Sequence, residues 1–217
     1  MSHATVVLVR HGSVEGIEQP RFRGRQHLQL TGAGLREAER SAAVIARRHR
    51  PDLILTSPLT RCVTTGAVIG QALGLAPEPD EGLIDIDYGE WQGRLQSEVR
   101  EADPKRAAAW FEDPATAPVP GGETLRELSE RVVAAFERVA ARIAGGTAVI
   151  VGHDTVNRVI LLHALGLDLS HYWRLRQDPA CLNVLWHEEN GWVLHSLNET
   201  VHLLPSRSDA PMIGARA

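Results

Sequence analysis

The chain has 217 residues, 43% of them hydrophobic and 23% charged, with a net charge of −4. That is long enough for one substantial core, ordinary for a soluble globular protein, and gives no electrostatic reason to expect a nucleic acid partner. No charged-then-apolar leader opens the chain and no apolar run reaches membrane-spanning length, while the only cysteines, Cys62 and Cys181, lack ligand spacing; a cytoplasmic protein with no membrane partner and no disulfide framework is expected.

Thr5-Val6-Val7-Leu8-Val9 is an apolar run of the kind that makes a fully buried strand of a parallel sheet, and it ends in Arg10, His11 and Gly12. Thr31 is a good N-cap for a helix reaching about Arg48, with Leu35, Ala38, Ala42, Ile45 and Ala46 on one face, and Pro51 breaks it. Leu53-Ile54-Leu55 reads as a second buried strand, ending at Thr56-Ser57-Pro58. Ser57 or Thr60 opens the next helix, whose Val63, Ala67, Val68 and Leu73 are expected to face inward and which Gly74 stops. Residues 76–82 are Pro- and acid-rich, a loop or short edge strand.

Residues 87–122 are mixed, with weak helical stretches near 95–101 and 104–112, and read as an insertion over the sheet rather than a second domain. The helix from Thr124 to Ala144 is the clearest, with Leu125, Leu128, Val132, Phe136, Val139 and Ile143 at helical spacing and Thr124 with Glu127 fitting a capping box. Gly145-Gly146 ends it, a strand over 148–152 ends at His153, and a helix carrying Val156, Val159, Ile160 and Leu162 follows. Stretches 182–186 and 192–197 are two late strands around the turn Glu189-Asn190-Gly191. Residues 1–204 are expected to form one domain and 205–217 a flexible tail. The five tryptophans, Trp91, Trp110, Trp173, Trp186 and Trp192, are expected mostly in core packing. The order of elements predicts a three-layer α/β/α sandwich with a mostly parallel central sheet and an antiparallel edge strand.

Ligands of open α/β sheets bind beyond the carboxyl ends of the strands. Three such ends bring Arg10 and His11, Arg61 in the stretch TSPLTR, and His153 towards one crevice. A guanidinium fork suits phosphate oxygens, and an imidazole serves as a nucleophile or a charged donor. Two guanidinium groups plus an imidazolium make an anion pocket able to stabilise a phosphoryl group in transfer without a metal ion.

Taken in order, LVRHG, TSPLTR, LIDIDYGEWQG, PGGE and VGHD resemble the histidine phosphatase superfamily in its smaller, phosphoglycerate mutase-like branch, over roughly residues 4–200. The resemblance implies that His11 is the nucleophile that becomes phosphohistidine, that Arg10 and Arg61 bind phosphate, and that His153 donates to the phosphoryl oxygens. It makes Ser13 a candidate phosphate contact, and it leaves Arg21, Arg23 and Arg25, in the following loop, as candidates of which one touches substrate while at least two are solvated. It implies no cofactor and no metal, a small phosphomonoester as partner, and allows a homodimer.

The chain departs from the family at the acid: Asp85 stands where many members carry a glutamate in L-x-E-x-x-x-G. Neighbouring Ile84 and Ile86 raise its pKa and Arg10 and Arg61 lower it, and the sequence leaves the sign open. Asp154, in His153-Asp154-Thr155, is the rival acid and a candidate substrate contact, its structural alternative being a helix cap; Glu90 and Glu123 are lesser candidates. RHGSVEG lacks the Trp-Asn that the glycolytic mutases of the family carry, so hydrolysis is favoured over mutase chemistry. A metal-dependent hydrolase using His11 and His153 lacks HxH or HExxH pairing, and a silent phosphate-binding module has the Asp85 substitution as its only support.

Overall fold

The computed structural model describes residues 4–143 and 145–204; the expected tail, 205–217, lies outside the described residues, as does Ala144. Strand β1 (Ala4–Arg10) supplies the centre, with Val6, Val7, Leu8 and Val9 buried completely. Side chains alternate across a strand, so Val6 and Leu8 enter one apolar layer and Val7 and Val9 the other. A strand buried on both faces has no polar alternation, which is why this segment reads as a continuous apolar run.

β1 pairs in parallel with β4 (Thr147–Gly152) on one side and antiparallel with β5 (Leu182–Glu188) on the other. β2 (Leu53–Thr56) lies parallel to β4, the short β3 (Glu78–Pro79) parallel to β2, and β6 (Gly191–Glu199) antiparallel to β5. The sheet order is β3-β2-β4-β1-β5-β6, a parallel body carrying the antiparallel hairpin at one side. Helices α1 (Gly32–Arg48) and α2 (Thr60–Leu73) cover one face; α5 (Leu125–Ile143) and α6 (Asp154–Ala164) cover the other. α3 (Gln96–Ala102) and α4 (Pro104–Glu112) arise within the mixed segment, whose Trp91 and Trp110 are buried in the same apolar layer as α5 and α6. Trp173 is 41% exposed, and Trp186 and Trp192 are half-buried.

Caps and stops fall where the residue chemistry puts them. Thr31 accepts from the Gly34 N–H, Thr124 and Glu127 bond each other's backbone N–H reciprocally, and Gly74 closes α2 at φ 68°. The inward faces follow expectation in part: Ala38, Ala42 and Ile45 are buried, and Val68 and Leu73 pack half-buried against the core. On α1, Leu35 is 39% exposed and Ala46 is exposed, while Ser41 and Val44 are buried. On α2, Val63 is 43% exposed and Ala67 is exposed, whereas Arg61, Cys62, Thr65, Gly66 and Ile69 are buried. The cause on α2 is close backbone packing: a Cβ on Gly66 would lie 2.3 Å from Thr56 Cγ2, so the small and polar side of the helix rests on the sheet.

Candidate active site

The carboxyl ends of β1, β2 and β4 open into a polar cleft of ≈ 260 Å³. Arg10, His11, Arg21, Arg23, Arg61, Asp85, Tyr88 and Asp154 are among its lining residues. A larger cavity of ≈ 720 Å³ beside α5 and α6, lined partly by Val133, Val159 and Leu162, contains neither strand-end histidine.

His11 follows directly on β1, and its ring is 5.4 Å from that of His153, edge to face. Its Nδ1 is 2.8 Å from the Gly12 carbonyl oxygen. A carbonyl only accepts, so Nδ1 carries the proton and Nε2 keeps its lone pair. Burial and the Arg61 and Arg10 charges hold the His11 pKa well below 6.5, so the ring is neutral. Gly12 explains the third residue of the motif: a Cβ there would lie 2.4 Å from the Gly34 oxygen, and one on Gly34 would lie 2.1 Å from the Ser13 oxygen. The backbone leaving β1 and the first turn of α1 touch directly, and no side chain fits between them.

Arg61 is buried in the first turn of α2. It donates to the Gln26 and Gly24 carbonyls at 2.6 and 2.8 Å and to Asp85 Oδ2 at 3.0 Å. Arg10 donates to the Gln177 carbonyl at 2.5 Å. In both arginines the Nε is buried without a protein acceptor. His153 caps α6, hydrogen-bonds Ser57 Oγ at 2.7 Å, and places Nδ1 3.6 Å from Asp85 Oδ2. Burial and then Arg61 push its pKa well below 6.5, so the protein favours a neutral imidazole there rather than the imidazolium expected from the sequence. A neutral ring still donates one N–H.

Asp85 is buried, and its pKa is raised: loss of solvent outweighs the opposing pull of Arg61 and the Ile86 N–H. Its loop is held from behind. Arg131 of α5 donates to the Gly82, Ile84 and Asp85 carbonyls at 3.1, 2.6 and 3.1 Å and pairs with Glu123 at 2.7 Å. Glu123 is therefore part of this brace and not a cap of α5, and Glu90 is exposed.

Asp154 lines the cleft as the first residue of α6, bonded to Arg158 Nε at 2.7 Å, and is not the cap. Ser13 turns the other way. Its N–H and Oγ donate to Glu37 at 2.7 and 2.9 Å, and it is not among the cleft residues. Arg21 and Arg23 line the cleft, while Arg25 pairs outside it with Asp87 and Glu123. Sequence reasoning missed Ser57, Gln177 and Arg131 as supports of the site; the signal for Ser57 was its place at a strand end, read instead as helix initiation. Among the described residues no group of three His, Cys, Asp or Glu side chains gathers to hold a metal ion.

Residues 6–200 match the family model of the histidine phosphatase superfamily (branch 1). The chain belongs to that superfamily. Phosphoserine phosphatase 1 of Hydrogenobacter thermophilus (strain DSM 6534 / IAM 12695 / TK-6) is 34% identical over 198 residues, covering 91% of this chain and 93% of that protein. A metal-independent phosphoserine phosphatase of Arabidopsis thaliana is 28% identical, over 91% of this chain and 82% of that protein. The solved mycobacterial glucosyl-3-phosphoglycerate phosphatase superposes with a TM-score of 0.82 at 26% identity, over 91% of this chain and 100% of that one. The chain spans about half, 54%, of three mycobacterial relatives at 31% identity. This histidine phosphatase thus carries the expected fold, with His11 at the end of the central strand.

Proposed function

We propose that this enzyme hydrolyses a small phosphomonoester through a phosphohistidine on His11, without a metal ion. The observation that carries the reading is the His11 ring: buried, neutral, its Nδ1 committed to Gly12, in a cleft shared with two guanidinium groups whose Nε atoms find no protein acceptor. In the first step His11 Nε2 attacks phosphorus, the ester P–O bond breaks, and the leaving alkoxide takes the Asp85 proton. In the second step water attacks phosphorus, gives its proton to the Asp85 carboxylate, and releases phosphate and free His11. Arg10, Arg61 and one His153 N–H bear on the charge of the transferring group. The raised pKa of Asp85 suits the first role. The names of the relatives support hydrolysis, the cleft volume supports a small metabolite, and two buried free thiols fit a reducing, cytoplasmic setting.

The test is hydrolysis of p-nitrophenyl phosphate in EDTA, wild type beside His11→Ala, with trapping of acid-labile phosphate on the protein. Turnover that survives EDTA and is lost in the variant, with label on the wild type only, is expected. Loss of turnover in EDTA would remove the metal-free mechanism. Label without turnover would convert the reading to mutase-type transfer.

A further inference from the structure

Three buried guanidinium Nε atoms without a protein acceptor belong to the cleft: those of Arg10, Arg61 and Arg23. The first two serve the phosphoryl group in the mechanism above. Arg23 has no such assignment. Its Nη2 donates to the Gly16 and Gln19 carbonyls, which fixes the head group, and among the described residues no carboxylate pairs with it. Glu18 lines the same wall without pairing to it, Asp85 is engaged with Arg61, and Asp154 with Arg158. The residue is half-buried, but its Nε is shielded from solvent and lacks an acceptor, and an unmet donor of this kind beside two other cations favours an anion that completes it.

The loop is built to hold it there. The next residue, Gly24, has φ +48°, and a Cβ on it would lie 2.7 Å from the Ile86 oxygen and 2.9 Å from Gln92 Oε1. Arg61 also bonds the Gly24 carbonyl, tying the loop to α2. Arg21 donates to the Gly93 carbonyl and, at 3.2 Å, to Gln19 Oε1, and so acts as a brace. Desolvation and the Arg10, Arg21 and Arg61 charges bring the Arg23 pKa down to about 10. Arg23 thus lines the same cleft as Arg10, His11 and Arg61, held there by loop carbonyls.

We propose that Arg23 is the specificity-determining residue of the cleft: its guanidinium takes a second anionic group of the substrate, carboxylate or phosphate, apart from the phosphoryl group that is transferred. The proposal rests on the phosphatase reading. A metabolite with one phosphate and no second anion leaves this donor unpaired. A charge-assisted hydrogen bond of this kind corresponds to about ten- to one-hundred-fold discrimination.

The test uses matched pairs in wild type, Arg23→Gln and Arg23→Lys: phosphoserine against phosphoethanolamine for carboxylate, and propane-1,3-diol bisphosphate against its monophosphate for a second phosphate. The readout is the ratio of kcat/KM within each pair. The expected result is a wild-type ratio well above one in one pair, a fall of about tenfold or more in Arg23→Gln, and partial retention in Arg23→Lys. Ratios near one in both wild-type pairs overturn the proposal. So does an equal loss for both members of a pair, whether from misfolding or from a role at the phosphoryl group itself. Calorimetric binding of the same four compounds to His11→Ala, with and without Arg23→Gln, gives the ratio without turnover. Discrimination there with no hydrolysis by the wild type would refute the phosphatase reading and keep the subsite.

Discussion

With Nδ1 of His11 donating to Gly12, only Nε2 keeps a free lone pair, the one the proposed attack uses. Because its pKa lies below 6.5, protonation of His11 does not limit kcat/KM at neutral pH, and the acid limb assigned to this ring falls below pH 6.5. A pH profile with a nucleophile pKa above 7 would contradict this. Asp85 is tested by the leaving group. Asp85→Asn lowers kcat/KM, which reports the first step alone, by about 10²- to 10⁴-fold on an alkyl phosphate and much less on p-nitrophenyl phosphate, whose phenolate needs little protonation. An equal loss of kcat/KM on both substrates would mean that Asp85 acts through Arg61 rather than as an acid. That His11, Arg10 and Arg61 share one cleft was legible, because strand ends gather side chains there and these residue types carry the chemistry in themselves. The sign of the Asp85 pKa was not, since it depends on burial against Arg61, which only three-dimensional packing sets. Ser13 misled for the same reason: its side chain pairs with Glu37, which arrives on α1.

Elements aim these side chains through backbone contact. α2 lies on the sheet through Gly66, so Gly66→Ala overpacks against Thr56 and is expected to cost about 1–3 kcal/mol in denaturant unfolding, with a lower kcat as Arg61 moves. An unchanged midpoint would show that the helix has room. Arg131 is a positioning residue: it holds three carbonyls of the Asp85 loop. Arg131→Lys cannot reproduce the fork, and kcat is expected to fall about tenfold with KM nearly unchanged, the loss being larger on alkyl than on aryl phosphates. A uniform change in KM would make Arg131 merely structural. Strand and helix positions followed from periodicity and caps, and the inward faces of α1 and α2 followed only in part. Apolar residues such as Ala42, Ile45 and Ile69 sit on those faces, but close approaches at Gly66 and buried polar groups such as Ser41 and Thr65 shift them.

At the scale of the molecule, burying His11 and His153 neutral ties stability to pH. Both have folded pKa values below the 6.5 of an unfolded chain, so the unfolded state binds more protons once pH drops below about 6.5, and stability is lost there. His49 and His202 act in the same direction; Asp85, with a raised pKa, acts oppositely and only above the unfolded carboxylate value of 3.8. The melting temperature is therefore expected to fall between pH 7.5 and 5.5, and the fall to shrink in His11→Gln. A rise on acidification would refute this account.

The central place of β1 has a consequence for synthesis. Its partners on both sides, β4 over 147–152 and β5 over 182–188, are translated long after it. Until then an apolar strand with two open edges must wait as the ribosome works. A nascent chain stalled near residue 146 holds His11, Arg10, Arg61 and Asp85 yet lacks both strands that pair with β1, so the edges beside its cleft residues stay open to mispairing.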